Sequence, residues 1–437
     1  MFSYKRRNSL QRFAKLLIFI SCVVTWILWD NSAIVYQQVR RLISTERRHG
    51  VDVTSNCKTG TIERYTSCFI KNRLQCDHMP IIHSVFADYD DNQVVFVGIT
   101  YRGEKWSEQS FICEFPNGDK TMTDPIVKDA RSFGATPQYI LVITCPFPDQ
   151  FSSSSAYHQQ MFNVSLRRNT FPTAAYINIP ICSSHKTLTK KEKHPLILCT
   201  MAKNMDRFFP TWLDYYRHIG VNHVYIYDNS KRESLPKVLK TYIDNDFVSV
   251  IPWSHDHTPW KTYLEVQIAH ENDCVWRNKH RSEWILKVDL DEFVQPMNPD
   301  KPLLTDYIAN YTSGNIACLQ MQSWFFGRKK HEKFLHLNTT IEANRWRASN
   351  PDPLNMGHDK CIIRPKNVHY FKIHGVKLGG ETLTLDPLNE VRLTHYRSSN
   401  PLHYGFSRRY EVKDLSMLKI WKQIRGCDIR DEECKHL

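Results

Sequence analysis

Apolar residues recur along the chain in three rhythms, and each rhythm marks a different kind of segment. The first is a nearly unbroken run, Leu16 to Trp29, interrupted only by Ser21 and Thr25. It is short for a spanning helix but extends to Phe13 on one side and Tyr36 on the other. The second rhythm is short and strand-like. Val94 to Ile99, Phe111 to Cys113 and Tyr139 to Thr144 predict strands, and Asn117-Gly118-Asp119 predicts a hairpin turn. The third alternates strands with helices. Leu196 to Cys199 predicts a buried strand, followed by a helix from Pro210 to Ile219 with Trp212, Leu213, Tyr216 and Ile219 at helical spacing and Gly220 as its stop. The pattern continues with a strand at His223 to Tyr227, a helix at Leu235 to Ile243 and a strand at Phe247 to Ile251. A helix at Tyr263 to Arg277 and a strand at Trp284 to Val288 then lead into Asp289. Repeated strand–helix units predict an α/β fold with a mixed, mostly parallel sheet and helices on both faces. Ligands of such sheets bind beyond the carboxyl ends of the strands.

The segments therefore read as a cytosolic tail (1–15), a signal-anchor transmembrane helix (16–36), a stem (37–79), a small β-rich module (80–150), a linker region (151–194) and an α/β domain (195–437). Lys5, Arg6, Arg7, Arg12 and Lys15 precede the apolar run, which favours a cytosolic N-terminus and a single-pass type II arrangement in the Golgi or ER membrane. A signal peptide cleaved near Asn31-Ser32-Ala33 is the alternative, and it sends the remainder to the same lumen. Thirteen cysteines occur; without Cys22, inside the apolar run, twelve remain, an even number compatible with disulfides. A bridge between Cys113 and Cys145 suits their places in or at the end of strands. No C-x-x-C pair indicates a zinc site. Asn163, Asn310 and Asn338 each begin a glycosylation triplet.

Composition narrows the function classes. Hydrophobic residues are 41% and charged residues 24%, the mix of a folded globular chain. The formal charge of +13 suits a polyanionic substrate such as a nucleotide diphosphate. No basic-aromatic motif or zinc-finger spacing points to nucleic acid. At the end of a predicted strand stands Asp289-Leu290-Asp291-Glu292. On an extended chain positions i and i+2 share a side, so Asp289 and Asp291 are expected to reach one ligand together. Such oxygen donors suit Mg²⁺ or Mn²⁺ rather than Zn²⁺.

Several ordered blocks resemble the family-92 glycosyltransferases. They are Cys199 to Asn204, Trp212 to Tyr216, Ile219 to Val221, Tyr225 to Asn229, Lys287 to Phe293, Lys360 to Pro365, His374 and His395-Tyr396-Arg397. The resemblance implies a GT-A-type, Rossmann-like fold and inverting transfer of a hexose from a UDP-sugar, UDP-galactose in the first place. The acceptor would be a glycan on a glycoprotein or polysaccharide, and the metal a divalent ion, Mn²⁺ as a rule. It assigns Asp289 and Asp291 to the metal, with His395 as the completing ligand and His374 as its rival. Asn204, Asp228, Asp289, Lys360, Arg364 and Arg397 are candidate donor-binding residues, Arg by bidentate contacts. The family's first motif often carries Glu or Gln after its Asn; here Asn204-Met205-Asp206 departs from it. Gln267 and Asp273, on one helix, either line the cleft or merely cap and solvate. Inversion needs a carboxylate to deprotonate the acceptor hydroxyl, and Glu292, Glu342 and Glu381 are candidates. Trp324, Phe325 and Phe326 offer either a stacking surface for the acceptor or core packing. Two competing readings are a metal-dependent phosphodiesterase and a catalytically inert glycan-binding or scaffold protein.

Overall fold

The structure is a computed structural model that describes residues 62–64, 68–70, 78–100, 109–129, 138–149, 162–181, 193–230, 235–253, 263–311, 314–329, 339–396 and 410–426. All of them belong to one compact unit, 56–437. The expected anchor, 16–36, lies outside the described residues. Among those described, no helix is long and apolar enough to cross a membrane.

The fold is mixed α/β with several sheets. Its centre is a seven-stranded sheet in the order Val248–Pro252, His223–Asp228, His194–Ala202, Ser282–Lys287, Lys360–Ile363, Ile316–Met321 and Glu381–Thr384. The first four strands are parallel. Lys360–Ile363 runs antiparallel to both its neighbours, and Glu381–Thr384 is parallel to Ile316–Met321. Alternation along each strand feeds two apolar layers. Leu196, Leu198, Trp284 and Leu286 join the helix Phe209–His218 on one face. Ile197, Cys199 and Ile285 join the helix Tyr263–Arg277 on the other. Gly220, at φ +97°, ends the first of these helices as expected, in a conformation that glycine adopts without strain. The helix expected over Leu235 to Ile243 is two short ones, Leu235–Val238 and Lys240–Asp244. The backbone leaves helical geometry at Leu239 (φ −93°, ψ 1°), while Leu235 and Leu239 both remain buried.

Ahead of this lie two four-stranded antiparallel sheets packed face to face. One has the order Ile81–Asp88, Gln93–Ile99, Tyr139–Pro146, Ile126–Asp129; the other Phe171–Ile181, Phe162–Arg168, Phe111–Glu114, Lys120–Thr123. The region read as a linker therefore contributes a hairpin to this sandwich. Phe162, Val164 and Leu166 are buried and Asn163 exposed, a period-two pattern that the serine run before it obscured. The Cys113–Cys145 disulfide joins the two sheets, as expected. Gln93–Ile99 serves two interiors. Val94 and Phe96 face the sandwich, whereas Val95, Val97 and Ile99 pack into the layer of the helix Tyr263–Arg277. That helix is thus held from both sides, with Cys199–Cys274 tying it to the central sheet. Its Asp273 accepts from Tyr227 and from Arg277, and Arg277 reaches Ser84 of the sandwich at 2.6 Å. Asp273 is therefore part of a structural network rather than a cleft residue.

Candidate active site

The carboxyl edge of the parallel strands gathers the chemistry. Strand Ser282–Lys287 stops short of the acidic motif, and Glu292 N–H donates to the Asp289 carbonyl at 3.1 Å to close a turn. The chain then enters strand Glu292–Pro296, paired antiparallel with Val391–His395 so that Glu292 lies opposite His395. Asp289 and Asp291 therefore sit in a turn, not on an extended strand, and the expectation of two carboxylates projecting together is corrected. The Asp289 side chain, 36% exposed, turns to Lys360 Nζ at 2.7 Å, with Lys287 Nζ at 4.0 Å. Asp291 faces His395, its Oδ2 lying 3.5 Å from Nε2. Between them Glu292 is buried. Its Oε2 accepts the Asp289 amide at 2.8 Å and lies 3.4 Å from Lys360 Nζ, and its Oε1 is 3.7 Å from His395 Nδ1. The turn is built around Trp212, whose indole N–H lies 3.2 Å from both the Asp289 and the Glu292 carbonyls. Tyr216 O–H donates to the Glu292 carbonyl at 2.9 Å, and Tyr396 N–H to that of Asp291 at 2.8 Å.

Charges set the protonation states. Burial alone would raise the Asp289 carboxyl, but the Lys360 and Lys287 ammoniums outweigh it and hold the group well below the usual carboxylate range. Burial raises Glu292 despite Lys360. Lys360 is raised, because Asp289 and Glu292 overcome its desolvation. His395 is likewise raised by Asp291 and Glu292 against its own burial. Asp291 Oδ2 and His395 Nε2, an oxygen and an imidazole nitrogen at 3.5 Å, stand close to the ~3 Å between adjacent ligands of an octahedral Mg²⁺-sized ion. Asp291 and His395 are the residues of this turn that could hold a divalent cation between them.

The other sequence-predicted residues divide between the site and the scaffold. Asp228 ends one parallel strand and Asn204 lies two residues past the end of its neighbour, at the same edge and linked through Ser230. Its Oγ accepts the Asn204 amide at 2.9 Å, and its amide donates to Asp228 at 2.8 Å. Burial raises Asp228. Lys360 is in the cluster, but its ammonium is committed to Asp289 and Glu292 and its side chain is 3% exposed; it braces acids rather than waiting for phosphate. Arg364 lies at the opposite end of its strand, since Ile363 pairs with Ile285, and its guanidinium stands over Trp284. It is removed from the donor set. Glu381 starts the edge strand opposite Ile316, at that same far end, and is exposed there. Glu342 caps a helix: it accepts the Thr339 amide at 2.7 Å and the Trp421 indole at 3.1 Å. Neither is a base for this site. Trp324 and Phe326 are core, with Trp324 donating to Ala348, whereas Phe325 touches the His395 ring at 5.1 Å between centroids. Gln267 is buried. Arg397 lies outside the described residues.

Sequence reasoning missed Glu271 and Lys287, fully buried behind Asp289 with Nζ and Oε1 3.6 Å apart. The signal was present: His270-Glu271-Asn272-Asp273 is a polar block spanning a full helical turn, so some of it had to face inward. Elsewhere Asp88, Asp91 and His280 bring three ligand-type atoms within 4.8 Å, but Lys279 already pairs with Asp91 at 2.5 Å and the group is an ion-pair junction.

A mostly parallel α/β sheet whose carboxyl edge holds a braced acidic turn and a facing histidine puts the candidate site where open α/β sheets bind their ligands. Residues 194–425, more than half of the chain, match glycosyltransferase family 92, and the chain belongs to that family. A glycosyltransferase family 92 protein of Ricinus communis is 25% identical over 56% of this chain and 44% of its own length. One from Arabidopsis thaliana is 28% identical over 65% and 50%. A beta-1,4-galactosyltransferase of Caenorhabditis elegans is 22% identical over 80% of each chain. The chain spans about half the length of the plant relatives it matches.

Proposed function

We propose that this chain is an inverting, metal-dependent glycosyltransferase of the GT-A type. It transfers a hexose, galactose by preference, from a UDP-sugar to a glycan acceptor on a glycoprotein or polysaccharide. The observation that carries the reading is the Asp289–Glu292 turn braced by Lys360 and facing His395 at the carboxyl edge of the parallel sheet. The name of the nematode relative supports galactose as the sugar. Asp291 and His395 would hold the cation, which on binding neutralises charge on the departing diphosphate. Lys360 and Glu292 keep the turn in shape, so that Asp289 stays ionised at the mouth. Asn204 and Asp228, one strand over, meet the nucleoside half of the donor. The three disulfides among the described residues and the exposed sequon residues Asn163 and Asn310 support a lumenal location, with 16–36 as the Golgi or ER membrane anchor.

A panel of UDP-sugars offered to the detergent-solubilised full chain with Mn²⁺ tests this, with release of UDP as the readout. UDP-galactose should be turned over. EDTA should abolish the reaction, and Asp291→Ala should lower it by about 10²-fold or more. Turnover of no UDP-sugar, or turnover indifferent to EDTA, would sink the proposal.

A further inference from the structure

Beside the cluster the hairpin of strands Val368–Lys372 and Gly375–Gly379 turns through only Ile373 and His374. His374 N–H donates to the Lys372 carbonyl at 2.6 Å, closing a γ-turn centred on Ile373 at φ +49°. Positive φ at the centre of a γ-turn is its strained hand, and a β-branched residue there is a genuine outlier. Of the seven non-glycine residues at positive φ among those described, Ile373 alone is β-branched; the rest are His, Asn or Asp. The strain is held from outside the hairpin. Glu271, fully buried in the helix Tyr263–Arg277, accepts the Ile373 amide on Oε2 at 2.8 Å, while Lys287 balances its charge. Strain of this kind persists where surrounding structure over-determines it, and it concentrates at functional sites.

What the turn presents is His374. Its Nδ1 lies 2.8 Å from the Asp359 carbonyl. A carbonyl only accepts, so Nδ1 carries the proton and Nε2 offers a lone pair. No described residue engages Nε2. Burial and then the Lys360 ammonium push the ring down to about 4, so it stays neutral at any working pH. A second cation beside that ammonium is disfavoured, and the Asp291–His395 pair lies across Glu292 from it. We infer that Glu271, through the strained Ile373 turn, positions His374 to accept a hydrogen bond from a hydroxyl of the donor sugar, making His374 a sugar-recognition residue and Glu271 its positioning residue. This rests on the donor reading above.

Calorimetric binding of UDP-galactose and of UDP, each with Mn²⁺, together with amide hydrogen exchange, tests it on the full chain. His374→Ala should weaken UDP-galactose about tenfold while UDP, which lacks the sugar, changes by less than about twofold. Glu271→Ala should speed exchange of the Ile373 amide about tenfold or more and reproduce the same selective loss. The double variant should lose no more than either single one, because both act through one contact. Glu271→Gln, which keeps an oxygen for the Ile373 amide but removes the charge that balances Lys287, should keep the wild-type ratio of UDP-galactose to UDP affinity, and that ratio decides the matter with His374→Ala if Glu271→Ala does not fold. Equal weakening of UDP and UDP-galactose, unchanged binding of both by His374→Ala, or losses that multiply in the double variant overturns the inference. If wild type binds neither ligand, the donor reading fails on its own, while exchange at Ile373 still reports whether Glu271 holds the turn.

Discussion

The β-sandwich and the α/β portion solve burial in opposite ways. The sandwich interior is apolar almost throughout, with Val94, Phe96, Phe111, Leu141 and Ile143 closed around one disulfide. The α/β portion also has apolar layers, yet it encloses Lys287, Lys360, Glu271, Glu292, Asp273 and Arg277. Buried ion pairs contribute little net stability, because desolvation offsets attraction, whereas breaking one by removing a single partner is costly. The sandwich is therefore built for stability and the acidic edge for placement.

The sharpest contrast pairs Lys360→Met with Phe96→Ala. Each should cost about 3–5 kcal/mol in urea unfolding, the first through stranded carboxylates, the second through a core cavity. Only Lys360→Met should also remove UDP-galactose turnover in the folded protein, because Asp289 loses its brace. If Phe96→Ala lost activity equally while folded, the division of labour would be wrong.

Asp414 ranks next. Arg392, Ser416 and Arg347 outweigh burial and lower its carboxyl from 3.8 to about 2. A depressed carboxylate stabilises above its unfolded value and loses that contribution as pH falls through the folded one. Asp414→Asn should therefore cost about 2 kcal/mol above pH ~5. The gap to wild type should close between about pH 4 and 2, read from thermal midpoints across pH. A gap that widened on acidification would contradict the sign. The smallest effect is expected of Glu342→Gln. Gln also completes a capping box, so stability should fall by about 0.5–1 kcal/mol and turnover by less than about twofold. A general base would lose at least about a hundredfold.

Legibility followed the same division. Strands and helices with a steady period, such as His223–Asp228 and Tyr263–Arg277, could be placed from apolar spacing alone. The hairpin Phe162–Ile181 could not, because only its first strand alternates cleanly and a polar run precedes it. At the site, the acidic turn and His395 were visible as motifs, but roles depended on which end of a strand faced the edge. Lys360 opens one antiparallel strand and Arg364 directly follows its end, and that direction puts one beside Asp289 and the other beside Trp284. Glu271 was hidden for another reason: its partners, Lys287 and the Ile373 amide, are distant in sequence and meet it only in the fold.

The double contact made by the Trp212 indole has an architectural consequence. A lone ring spans both feet of the acidic arch, so the arch is not a portable loop but half of a unit whose other half belongs to the helix Phe209–His218. Grafted onto a foreign scaffold without that keystone, the four residues would slump. Refashioning the chain for a different sugar should leave the ring alone and work outward from it.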